Sequence, residues 1–146
     1  MLGSVRGGVK AAALFLVLTG CLGSRFERAA AAHVDVLASM ARKGADLVAS
    51  GRLTAENMPE LTYPLERAAA FASTVRARRA PAWLPAFDDL VGRYRDFVDT
   101  LDRIRREQRG AAAGAALAET LAAVEEAAAR TRAALGVGRD EGGSGV

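Results

Sequence analysis

The chain has 146 residues, 51 % of them hydrophobic and 25 % charged, which gives room for one domain with its own core and matches the composition of a folded protein. A single cysteine excludes an internal disulfide framework and a thiolate-rich metal site. The formal charge is +3, but Arg6 and Lys10 fall in a leading segment that holds no acid. Without that segment the charge is +1, and phosphate affinity rests on a concentrated basic surface, so no nucleic-acid partner is expected.

In chain order, Arg6 and Lys10 precede an apolar run from Ala11 to Leu18 (AAALFLVL), followed at once by Thr19, Gly20 and Cys21. Positive, then apolar, then small is the layout of a secretory signal, and the run falls far short of the roughly 20 residues a spanning helix needs. Leu18-Thr19-Gly20-Cys21 resembles the lipobox of bacterial lipoprotein precursors, with an aliphatic residue, two small residues and then the cysteine. The resemblance covers residues 1–21. It implies diacylglyceryl transfer to the Cys21 thiol, recognition of Leu18, Thr19 and Gly20 by the signal peptidase, cleavage before Cys21 and, in many such proteins, acylation of the new amine.

Residues 1–20 are then a signal peptide and 21–24 an acylated tether. One acyl chain binds a membrane marginally, at about 0.8 kcal/mol per buried methylene, whereas two or three hold it. An ordinary secretory signal cut nearby would instead leave Cys21 as a free thiol. Leu22 stands where an aspartate would mark inner-membrane retention, so under the enteric sorting rule the resemblance implies the outer membrane, with the protein facing the periplasm.

Residues 25–136 read as a four-helix bundle. In the first helix Phe26, Ala30, His33/Val34, Leu37, Met40/Ala41, Gly44 and Leu47/Val48 recur at spacings of four and three, one amphipathic stripe, and Gly51 is placed to stop it. Arg52 to Leu61 reads as a connection with room for one short turn. Thr62 then serves as N-cap of a second helix with Pro64 in its first turn, and the helix runs to about Arg79 with Leu65, Ala68, Phe71/Ala72 and Val75 inward.

Pro81 and Pro85 bracket the next turn. The third helix carries Trp83, Phe87, Leu90, Tyr94, Phe97, Leu101 and Ile104 at heptad spacing, flanked by Leu84, Val91 and Val98. Its outer face pairs Asp89 with Arg93, Asp99 with Arg103 and Asp102 with Arg106, each worth a few tenths of a kcal/mol. Gly110 and Gly114 punctuate an alanine-rich connection before a fourth stripe, Leu117, Leu121, Val124, Ala128, Thr131 and Leu135, which ends at Gly136. Residues 137–146 are glycine-rich and are expected to be disordered. Short connections favour an up-down-up-down arrangement, and the alanine content of the fourth helix places extra weight on Leu117, Leu121 and Leu135.

The sequence holds no nucleophile elbow, phosphate-binding glycine loop or HExxH-like motif, so no catalytic residue and no cofactor is assigned. His33, on the edge of the first stripe and within about a turn of Tyr94 and Thr131 in the antiparallel arrangement, is the weak metal candidate, with Met40 or Met58 as a second ligand. The plainer reading is a histidine satisfied by a neighbour or water. Arg25, Arg28, Arg76, Arg78, Arg79, Arg130 and Arg132 gather at the lipid end, where Arg76, Arg78, Arg79, Arg130 and Arg132 are candidate headgroup contacts. Arginines near helix C-termini also complement the macrodipole. The expectation is a non-catalytic, membrane-anchored envelope lipoprotein whose bundle contacts another envelope protein. The alternative is a periplasmic bundle that binds a small ligand, haem or metal through His33.

Overall fold

The computed structural model describes the backbone of residues 7–107 and 111–136 and the side chains of residues 25–107 and 112–136. Among the described residues there are four helices and no strand: α1 (Gly7–Ala49), α2 (Met58–Arg78), α3 (Leu84–Glu107) and α4 (Ala111–Leu135). They form an all-α four-helix bundle. Residues 137–146, expected to be disordered, lie outside the described residues.

The backbone of α1 is helical from Gly7, so the apolar run, the Leu18–Cys21 motif and the first bundle helix form one continuous element. No proline interrupts the alanine- and leucine-rich stretch, and single glycines such as Gly20 and Gly23 cost only about 1 kcal/mol each relative to alanine. The helix ends where expected. Gly51 takes φ +67°, its amide reaches the Val48 carbonyl (3.1 Å), and the Arg52 amide reaches the Leu47 carbonyl (2.8 Å). These two bonds satisfy the last carbonyls in a Schellman motif, which needs the left-handed residue glycine supplies.

The second helix begins five residues earlier than the sequence suggests. Asn57 is its N-cap and Pro59 occupies the first turn, where a missing N–H is harmless. Thr62 is not a cap: its hydroxyl donates to the Met58 carbonyl inside the helix (2.9 Å), and Pro64 sits in the helix interior. The reason is Leu61, which is fully buried and adds another inward position to the Leu65, Ala68, Ala72 and Val75 stripe. The Asn57 side chain turns back instead, accepting from the Thr54 amide (2.8 Å) and hydroxyl (2.9 Å), which closes the short turn in the α1–α2 connection.

Gly114 lies inside α4 and not in the connection before it, because the alanines on both sides are strong helix formers. The helix ends at Gly136, with φ +75°.

Each helix packs against its neighbours in the order 1-2-3-4-1, and α1 also touches α3 across one diagonal, whereas α2 and α4 do not touch. The α1–α4 register is antiparallel: Asp35 pairs with Arg132 and, seven residues on along α1 and seven back along α4, Arg42 pairs with Glu125. The short diagonal depends on Gly44. A Cβ there would lie 2.8 Å from Leu101 Cδ1 and 3.1 Å from Phe97 Cε1, closer than side chains pack.

Candidate functional site

One end of the bundle gathers the aromatic side chains. Phe71 of α2 stacks on Trp83 (6.2 Å between centroids, 9° between planes) and meets Phe87 of α3 edge to face (5.5 Å). Phe26 of α1 approaches Phe71 at 6.3 Å. His33 completes the cluster, 4.8 Å from Phe71 and 6.2 Å from Phe87. Offset and edge-to-face pairs of this kind each contribute about 0.5–1.5 kcal/mol beyond the area they bury.

His33 is therefore half-buried among carbon rings. Burial, and then the nearby Arg67 charge, hold its pKa below the ordinary 6.5, so the neutral ring is favoured. Tyr94 and Thr131, its expected neighbours, are engaged elsewhere. The buried Tyr94 hydroxyl donates to the Leu61 carbonyl (2.6 Å), and burial pushes this phenol well above its ordinary pKa. The Thr131 hydroxyl reaches the Ala127 carbonyl (2.8 Å) and the Ala86 carbonyl (3.1 Å). Met58 starts α2, thirteen residues from Phe71, and Met40 lies seven residues along the same helix as His33. The chain thus brings together His33, Phe71 and Phe87, and not His33, Tyr94 and a methionine. Among the described residues, no three His, Cys, Asp or Glu side chains are grouped to hold a metal ion.

The arginines of this end fall into two sets. Arg76 pairs with Asp88 (2.6 Å), Arg130 with Asp89 (2.9 Å) and Glu126 (2.7 Å), and Arg132 with Asp35 (2.9 Å). These exposed pairs are worth at most about 1 kcal/mol each, but they direct three guanidiniums along the flanks of the bundle and tie α2 to α3, α3 to α4 and α4 to α1. Arg25, Arg28, Arg78 and Arg79 have no carboxylate within salt-bridge distance among the described residues. Arg79 lies over the Phe26 ring (5.6 Å). Arg25 and Arg78 flank an open groove of about 360 Å³ between α1 and α2, with Phe26, Ala29, Phe71 and Thr74 as its other walls.

This groove begins four residues after Cys21, about 6 Å along a helix. The side chains of Leu18, Thr19, Gly20 and Cys21 lie outside those described. The sequence brought Arg25 and Arg78 to this end. It did not separate them from the ion-paired arginines, because Asp35, Asp88 and Asp89 meet their partners from other helices. Of the expected pairs on α3, Asp89–Arg93 (3.5 Å) and Asp102–Arg106 form. Arg103 instead donates to the Thr100 hydroxyl (3.4 Å), and Asp102 gains Arg105. The hydrogen bond from Arg105 and the charge of Arg106 hold the Asp102 carboxyl below its ordinary pKa.

No helix among the described residues is long and apolar enough to cross a membrane. Comparison with family models, curated proteins and solved structures yields no match to this chain.

Proposed function

We propose that this protein is a membrane-anchored bacterial envelope lipoprotein, held by lipid on Cys21, whose bundle has a non-catalytic structural or interaction role. The observation that carries the reading is the run Arg6, Lys10, Ala11 to Leu18, then Leu18-Thr19-Gly20-Cys21, in which each part has a separate task. The positive charges orient the segment, the apolar run engages the export machinery, and the two small residues before the cysteine leave the scissile bond accessible. Two or three acyl chains then give stable anchoring.

The first residue of the folded core, Ala30, lies nine residues beyond Cys21. Cleavage before Cys21 would leave every described core residue in place, since among the described residues the core runs from Ala30 to Thr131. The bundle would then ride close to the lipid with its aromatic end toward the membrane, and its long flanks and far end would be open to another envelope protein on the extracytoplasmic side, which in a diderm is the periplasm.

The test is Cys21→Ala in the producing bacterium. The variant is expected to accumulate as uncleaved precursor while the wild type fractionates with membranes as a shorter, acylated chain. Normal processing and membrane retention of Cys21→Ala would reject the reading.

A further inference from the structure

We propose that the groove between α1 and α2 at the aromatic end is a binding site for the headgroup of an anionic phospholipid. The inference rests on the lipoprotein reading for its orientation, but its chemistry is independent of the acyl chains. Three arginines converge there. Arg25 and Arg78 line the groove and Arg79 stacks on Phe26, one of its walls, and none of the three has a carboxylate partner among the described residues. Arg76, two residues before Arg78 on the same helix, is bound to Asp88, so the difference is not one of position at the helix end alone.

The walls between the arginines are apolar: Phe26, Ala29 and Phe71, with Thr74 the one neutral polar side chain. The Thr74 hydroxyl donates to the Ala70 carbonyl (3.0 Å), which leaves its lone pairs as a neutral acceptor in the groove. Donors around a carbon-lined cleft fit a ligand that is anionic at one end and apolar at the other. Guanidinium groups bind phosphate through paired N–H donors, and the phenyl rings would lie against glycerol and the first acyl carbons. A phospholipid has this chemistry. The groove also opens about one helical turn from Cys21, the position at which lipid would be held. An acidic protein segment would satisfy the arginines but would not need the site to lie beside the anchor.

The experiment uses the acyl-free chain from Leu22, which retains every core residue among those described, and measures co-sedimentation with two kinds of vesicle: phosphatidylcholine alone, and phosphatidylcholine mixed equally with phosphatidylglycerol. The wild type should bind the anionic vesicles and not the neutral ones. Arg25→Gln combined with Arg78→Gln should weaken that binding by more than tenfold, since a basic residue near an anionic surface contributes about fivefold. The charge-matched pair Arg42→Gln with Arg93→Gln, on the bundle flanks, should change it less than threefold.

Circular dichroism confirms that each variant is folded, and Arg25→Lys with Arg78→Lys should restore part of the affinity. Equal loss in the two double variants would show diffuse attraction and overturn the site. Equal binding to both vesicle types, or no binding to either, would also overturn it. Because no acyl chain is present, these outcomes are separate from the fate of Cys21: failure here with a lipidated Cys21 removes only the groove.

Discussion

The third and fourth helices contribute to one core by opposite means. α3 brings bulk: Leu84, Phe87, Leu90, Tyr94, Phe97 and Leu101 are all buried, most of them completely. α4 brings proximity: its buried positions are Leu117, Val124, Ala127, Ala128 and Thr131, small enough for its backbone to lie against α1 and α3. The Thr131 hydroxyl, bonded to the Ala86 carbonyl of α3 at 3.1 Å, shows how near the two helices come. A helix of alanines is thus stabilised by its fit against larger neighbours. Gly44 repeats the device on α1, where its missing Cβ admits Leu101 and Phe97.

The contrast predicts opposite responses to a change in volume. Phe97→Ala or Phe87→Ala removes a fully buried ring and should lower unfolding stability by about 3–5 kcal/mol in denaturant titration. A loss below about 1 kcal/mol would mean that α3 is not the packed side. On α4 the damaging change is enlargement. Ala128→Leu should cost about 1–3 kcal/mol or more through overpacking, whereas Ala133→Leu, on the exposed face, should be close to neutral. If both were neutral, the close approach of α4 would be refuted.

Smaller effects sharpen the same comparison. Tyr94→Phe keeps the ring and deletes the bond to the Leu61 carbonyl, for an expected loss of about 1 kcal/mol. His33 should be felt only through pH. Its folded-state pKa lies below 6.5, so the unfolded chain takes up the proton more readily. The stability it permits is complete above that value and declines as pH falls through it. His33→Gln should flatten this part of the acid limb of a stability-versus-pH curve, and an unchanged limb would place the ring outside the aromatic cluster.

Much of this architecture was legible in the sequence, for physical reasons. The heptad stripe of α3 and the four-three stripe of α1 follow the helical period, so the inward residues could be named from Phe26 to Leu101. Gly51 and Gly136 could be placed because a helix end needs a left-handed residue. The start of α2 was misplaced because two prolines and a threonine offered two first turns, and only the burial of Leu61 decides between them. The weight assigned to the α4 leucines was partly misplaced. Leu117 is buried, but Leu121 and Leu135 are only partly covered, whereas Val124 and Thr131 are fully enclosed.

At the candidate site, the gathering of arginines at one end was readable from helix order. Their division into paired and unpaired sets was not, because each acid that pairs them across the bundle lies on another helix. The groove depended on the rotation of α1 against α2, which the period of either helix alone leaves undetermined. His33 was placed on the correct stripe but given the wrong company, since two turns along α3, which runs parallel to α1 across the diagonal, exchange Phe87 for Tyr94.

The anchor is the claim on which the orientation of the whole molecule depends. Its most direct test is the intact mass of the protein purified from the membranes of its own bacterium, together with the mass of its first proteolytic peptide. A lipid-anchored protein should begin at Cys21 and carry a diacylglyceryl group on the thiol. A mature protein that begins elsewhere, or one with an unmodified Cys21, would contradict it.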